Sequence, residues 1–196
     1  MKLNLSPMFI PSSTYRIQFN KNFGFKNLKE QLEYFSALAP GAIYASPVFG
    51  AVPGSNHGYD VTDPLKLNKE IGSHDELTEI SYALQSNGIG WIQDIVPNHM
   101  AFHPDNLWLM DVLEKGKQSA FAGYFDIDWD HPGFNGKLMV PVLGKELPEA
   151  LDADEIKLKW TDGWFFISYY DFTLPINGET FHSYWKNSKC WMAHIL

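Results

Sequence analysis

Apolar and polar residues alternate from Thr14 to Phe19, with Tyr15, Ile17 and Phe19 on one side and Arg16 and Gln18 on the other. That period of two predicts a strand. The period then lengthens. Leu28, Leu32, Phe35 and Ala39 recur at helical spacing, as on the buried face of an amphipathic helix. Asn27 with Glu30 predicts a capping-box start, and Pro40-Gly41 predicts the stop. Ala42–Val48, carrying Ile43, Tyr44 and Val48, predicts a second, short apolar strand. Ser73 with Glu76 opens a second capped helix whose buried stripe is Leu77, Ile80 and Leu84. Gly88, after Asn87, suits the left-handed residue that closes a helix. Gly90–Met100 then reads as a third, buried strand. Ile92, Ile95 and Val96 give it β-branched apolar character, and Pro97, which lacks a ladder donor, ends it.

Strand, helix, strand, helix, strand makes two βαβ units, which predicts parallel strands and right-handed crossovers. The segments after each strand therefore emerge on one face: Asn20–Phe25, Phe49–Gly72 and Asp94–His99. The middle one shows no period, and a loop of that length in a compact domain is usually functional or disordered. Its composition is not that of a disordered segment, because it carries His57, Tyr59, Asp60 and Asp63. Topology thus predicts that His57, Tyr59, Asp60, Asp94, Asn98 and His99 converge at the carboxyl end of a parallel sheet, where α/β proteins bind ligands. Beyond His99 the text changes. Asp105–Glu114 predicts a helix capped by Asp105 and stopped at Gly116. From Ala120 to Asp171 it is aromatic and irregular, which predicts an excursion of short strands away from the main sheet.

Composition narrows the classes. The chain has 196 residues with 45% hydrophobic and 15% aromatic content, enough for a core in one domain or a large part of one. A formal net charge of −8 argues against a nucleic-acid partner, which needs a basic face. The single cysteine, Cys190, excludes an internal disulfide and fits a reducing compartment. No signal peptide and no apolar run long enough to span a membrane are read in the sequence, so a cytoplasmic protein is expected.

Several groups invite chemistry. Asp126, Asp128 and Asp130 imitate the start of a calcium loop, but His131 stands where the loop needs glycine and Lys137 where it needs glutamate. His99 and His103 stand four apart, a spacing that holds zinc on a helix. Pro104 follows His103 and the predicted helix begins only beyond it, so a hydrogen-bonding histidine and a surface one is the favoured reading. No metal or cofactor is expected. Tyr59 and Asp60 suit a sugar: an aromatic face packs on a pyranose, and a carboxylate accepts from paired hydroxyls. A loop tyrosine bonded to backbone and a turn aspartate fit the same residues. Asp94 and Asn98 likewise either cap a turn or belong to a site.

Asp94-Ile-Val-Pro-Asn98-His99 resembles the first signature region of the α-amylase family, glycoside hydrolase family 13. His57-Gly58-Tyr59-Asp60-Val-Thr-Asp63-Pro64 resembles the companion motif in that family's second βα loop. Ser13–Gln18, Tyr44–Val48, Pro53–Asp60, Tyr124–Trp129, Pro141–Gly144 and the Tyr170-Asp171 region before Leu174-Pro175 bring the match close to the maltooligosyltrehalose-forming branch, over about residues 12 to 178. The resemblance implies the N-terminal part of a (β/α)8 TIM barrel, three strands of it, with an irregular insertion after the third strand. Residues 1–103 would form the first three βα units and 104–180 a helix and aromatic-rich insertion, leaving 181–196 as an unassigned tail. It implies that Tyr59, Asp60, His99 and His57 contact the sugar, that Asp94 orders the site and that Asn98 supports its loop. The implied reaction opens the terminal α-1,4 bond of a maltooligosaccharide and rejoins the glucose as α,α-1,1, with retention through a covalent glycosyl-enzyme. The family's catalytic carboxylates lie on later strands, so no catalytic residue is assigned here and a fragment inactive alone is expected. Three other readings share its residues: a non-catalytic maltooligosaccharide-binding module, one chain of a split enzyme completed by the rest of the barrel, and, least favoured, a metal hydrolase. An unpaired strand edge and exposed barrel-interior side chains would make the isolated chain poorly soluble or loosely folded.

Overall fold

The computed structural model describes residues 9–161, 163–178 and 180. The chain packs as two units, Met1–Ala101 and Phe102–Leu196. The predicted tail, 181–196, lies outside the described residues.

In the first unit, strands β1 (Thr14–Ile17), β2 (Ala42–Ala45) and β5 (Gly90–Gln93) form a parallel sheet in the order β1-β2-β5. The helices α1 (Phe25–Glu30), α2 (Leu32–Leu38) and α3 (His74–Ser86) fill the two crossovers. Apolar residues on one side of the sheet meet these helices. Phe19, Phe25, Leu28, Ile43, Ile80 and Leu84 are essentially closed to solvent and form one cluster. Phe19 is packed edge-on against Phe25 at 5.3 Å and stacked on Trp91 at 5.9 Å, arrangements that aromatic quadrupoles favour.

Helix α3 begins as expected: Ser73 Oγ accepts from Glu76 N at 3.2 Å and Glu76 Oε2 accepts from Ser73 N at 2.8 Å, the reciprocal capping box. It ends at Asn87, followed by Gly88 at φ +69°. The first crossover differs from its prediction. Asn27 is not the cap; Gly24 is, and Asn27 Oδ1 accepts from Gly24 N at 2.9 Å. A glycine has no side chain to announce a cap, and its absence lets the chain pass close to the Ile71 carbonyl, 2.3 Å from where a Cβ would stand. The single predicted helix is also two, broken at Gln31 (φ −97°, ψ 10°), and α2 closes on Ala39 in the left-handed region just before Pro40.

Two further corrections concern the loop and the third strand. Phe49–Gly72 is not irregular throughout. It contains an antiparallel hairpin, β3 (Phe49–Ala51) and β4 (Val61–Leu67), whose register shifts on both sides of Gly50. With that slippage and Pro64 inside β4, no period of two survives for the eye. Strand β5 ends at Gln93, before Asp94 and Pro97, and is not buried: Ile92 is 38% exposed and Ile95, beyond it, 57%. Both outer edges of the sheet, on β1 and β5, are unpaired among the described residues, and on the side away from the helices Arg16 and Ile92 are exposed.

The second unit contains α4 (Leu107–Lys115), 3-10 turns at Gly116–Gln118 and Ala122–Tyr124, α5 (Leu147–Asp152), and an antiparallel sheet β6-β7-β8 of Ile156–Thr161, Trp164–Tyr169 and Phe172–Pro175. Asn106, not Asp105, caps α4: its Oδ1 accepts from Leu109 N at 3.1 Å. Gly116, at φ +59°, closes it as expected. Short strands occupy only the end of the aromatic stretch, from Ile156 onward. Before them Trp108 stacks on Phe121 at 5.5 Å and meets Tyr124 at 5.1 Å, so these rings fasten turns to α4 rather than line a sheet. Among the described residues no helix is long and apolar enough to cross a membrane.

Candidate carbohydrate site

The register of the parallel sheet sets the site. Arg16 on β1 pairs with Tyr44 on β2, and Tyr44 with Ile92 on β5. Side chains alternate along a strand, so these three share the side of the sheet opposite the buried Ile17 and Ile43. Asp94 falls on the same side, two residues after Ile92, held at the strand end by Asp94 N donating to Ala45 O at 2.9 Å.

Four side chains meet there. Asp94 Oδ2 accepts from Tyr59 OH at 2.5 Å, from Tyr44 OH at 3.1 Å and, more distantly, from Arg16 Nη1 at 3.4 Å. Arg16 Nη2 donates to Tyr59 OH at 2.7 Å, and the guanidinium lies 4.7 Å over the Tyr44 ring, a cation–π contact. The Tyr59 hydrogen bond, then those of Tyr44 and Arg16 with the arginine charge, hold the Asp94 carboxyl below the usual carboxylate range against partial burial that works the other way. Conversely, the hydrogen bond to Asp94 raises the Tyr59 phenol above its ordinary value.

A second group sits in the loop between β3 and β4. The buried Ser55 hydroxyl donates to Asp60 Oδ1 at 2.5 Å and accepts from Gly58 N at 3.0 Å. Gly58 has φ +75°, and a Cβ there would stand 2.7 Å from the Pro47 carbonyl oxygen. Tyr59 N donates to His57 Nδ1 at 3.0 Å. The same nitrogen lies 3.7 Å from Asp60 Oδ1, farther than its contact with Tyr59 N. Gln18 Nε2 donates to His57 O at 2.9 Å and ties β1 to this loop.

The predicted convergence is thus present for Tyr59 and Asp94, thirty-five positions apart in the chain. His57 and Asp60 lie beside Tyr59 in its loop. Asn98 and His99 are exposed and pair with each other, Asn98 Oδ1 to His99 Nδ1 at 3.3 Å. Among the described residues no hydrogen bond links them to the Arg16–Tyr59–Asp94 cluster. Arg16, Gln18, Tyr44 and Ser55 were not among the expected site residues. Strand alternation puts Arg16 and Gln18 on the polar side; the β1–β2 register is what brings Arg16 over Tyr44. Among the described residues no group of three or more His, Cys, Asp or Glu side chains is placed to hold a metal. Asp128 Oδ1 instead accepts from Asp130 N at 3.2 Å, the bond of a local turn.

Because Asp94 titrates below its unfolded value, its contribution to stability is fully present above the ordinary carboxylate range and is lost as pH falls through the lowered, folded value. Urea midpoints measured down an acid series should fall more steeply for the natural chain than for Asp94→Asn. Parallel acid limbs would show that Asp94 does not carry this linkage.

Residues 19–160 match the catalytic domain of alpha-amylase, and the chain belongs to that family. Within it, the chain is 41% identical over 156 residues to a Mycobacterium tuberculosis protein assigned as a maltooligosyl trehalose synthase, covering 74% of this chain and 20% of that one. The structure of maltooligosyltrehalose synthase from Arthrobacter ramosus is 37% identical with a TM-score of 0.76, covering 87% of this chain and 22% of that one. Another maltooligosyl trehalose synthase crystal structure is 41% identical with a TM-score of 0.78, over 85% and 22%. The chain therefore spans about a fifth of the length of these relatives.

Proposed function

We propose that this chain is the N-terminal portion of an intramolecular transglucosidase that converts the terminal α-1,4 bond of maltooligosaccharides to α,α-1,1, contributing sugar contacts but no catalytic carboxylate. In this reading β1, β2 and β5 are the first three strands of a (β/α)8 barrel. Residues 1–103 are its first three βα units, 104–180 form the insertion, and the open edges of the sheet accept the remaining strands. Tyr59, Asp60, His57 and His99 contact the sugar; Asp94 and Asn98 order the site. The cellular compartment is the cytoplasm, consistent with one cysteine in the whole sequence.

The observation that carries the reading is the Tyr59–Asp94 hydrogen bond, which joins two separate loops at the carboxyl end of parallel strands and holds an aromatic ring beside the Asp60 carboxylate. Such a pair offers a stacking face and an anionic acceptor, the two elements that sugar recognition needs. Ser55 occupies Asp60 Oδ1, which leaves Oδ2 to sugar hydroxyls. The similarity to maltooligosyl trehalose synthases supports the choice of substrate.

The test is a titration of the 196-residue chain with maltopentaose, followed by tryptophan fluorescence and by NMR of labelled tyrosine rings. Saturable binding is expected, weakened about tenfold by Asp60→Ala, the loss expected for a hydrogen bond to a charged group, with maltopentaose recovered chemically unchanged. Absence of binding by a folded chain would defeat the sugar site. Turnover by the chain alone would defeat the assignment of chemistry to other residues.

A further inference from the structure

Arg16 is exposed, carries an elevated proton affinity through its bond to the Tyr59 oxygen, and lies in the Ser13–Gln18 stretch, to which no role toward the sugar is assigned above. Its contacts are more specific than neutralising Asp94 would need. The closest one is not to the carboxylate at all: Nη2 to Tyr59 OH is 2.7 Å, whereas Nη1 to Asp94 Oδ2 is 3.4 Å. A phenol hydroxyl has one proton and lone pairs to accept with. A guanidinium has donors only. The donor on one side therefore leaves the phenol a single arrangement: it accepts from Arg16 and gives its proton to Asp94. We propose that Arg16 is the positioning residue of Tyr59, fixing the direction of its hydroxyl and the plane of its ring so that the aromatic face is preset for a saccharide.

Arg16 is itself held on three sides. Gln18 Oε1 accepts from Nη2 at 3.3 Å, the Tyr44 ring lies 4.7 Å below the guanidinium, and Asp94 closes the fork. Its strand position opposite Tyr44 is set by the ladder. The clamp thus runs from rigid strands β1 and β2 to a loop residue, and the ring reaches the ligand without first losing its freedom. Ordering a rotamer-rich group at binding has a cost, and preorganisation removes it. A lysine cannot reproduce this: one compact ammonium lacks the planar fork that spans two acceptors.

The role in sugar binding rests on the reading above; the control of Tyr59 does not. Labelled tyrosine ring signals of the full chain, with the Tyr59 signal assigned through Tyr59→Phe, would be compared in the natural protein, Arg16→Met and Arg16→Lys. Both substitutions should broaden or shift the Tyr59 ring signal, and Arg16→Met should move its phenol titration further upward, since Arg16 favours the phenolate. Both should weaken maltopentaose binding about fivefold to tenfold while leaving the thermal midpoint near that of the natural chain. Full rescue by Arg16→Lys would overturn the proposal in favour of plain charge neutralisation. An unchanged Tyr59 signal in Arg16→Met would overturn it outright. If the natural chain binds no saccharide, the sugar reading fails while the tyrosine signals still decide whether Arg16 sets Tyr59.

Discussion

Gly58→Ala should cost about 3 kcal/mol of stability and remove saccharide binding together with the Tyr59–Asp94 contact. Two penalties add. At φ +75° an L side chain meets the strain of the left-handed region, roughly 1–2 kcal/mol. The new Cβ would also stand 2.7 Å from the Pro47 carbonyl oxygen, a fixed backbone atom, and overpacking of this kind costs about 1–3 kcal/mol. The loop cannot yield freely, because Gly58 N is bonded to the buried Ser55 hydroxyl, which in turn holds Asp60. Relief by moving the loop would carry His57, Tyr59 and Asp60 with it. Urea denaturation and a maltopentaose titration on the same preparation check both halves. A loss of stability below about 1 kcal/mol would mean that the loop relaxes without strain.

The second large effect lies under the site. Ile43→Ala should destabilise the first unit by roughly 2–5 kcal/mol, the usual range for cutting a fully buried aliphatic side chain back to alanine. Ile43 is closed to solvent at the centre of the sheet, opposite Tyr15 on one side and Trp91 on the other. Ile92→Ala is the control. It occupies the same sheet on the other side, 38% exposed, and should cost about 1 kcal/mol, for a side chain only partly buried. Equal losses at the two positions would show that the Ile92 side of the sheet is covered in solution.

Much of the first unit was readable because local signals and tertiary structure agree there. Thr14–Ile17 alternates, and the face with Ile17 is the buried one. Ser73 and Glu76 stand where the capping box forms, and Gly88 sits where the chain turns left-handed. Errors fell where a signal was missing or ambiguous. Gly24 caps α1 without a side chain of its own, and the visible polar residue nearby is its N3 partner Asn27. Asn106 and Asp105 are adjacent candidates for one cap, and propensity does not separate them. The β3–β4 hairpin is held by an irregular register, which periodicity cannot reveal. For the site, topology alone brought Tyr59 and Asp94 together, and their hydrogen bond exists. Arg16 stayed hidden because a charged residue on the polar side of a strand looks solvated until the neighbouring strand's residue is known.

The sheet order β1-β2-β5 follows the order of synthesis, each new strand joining the outer edge of the one before. A ribosome adds about 5–20 residues per second, so several seconds separate the emergence of Thr14 from that of Gln93. Helix and hairpin formation takes microseconds or less. The nascent chain can therefore lay down β1, α1, α2 and β2 while β5 is still being made, and no strand must insert between two already paired. Assembly by edge growth leaves the newest edge open at every stage, and among the described residues the edge on β5 is unpaired.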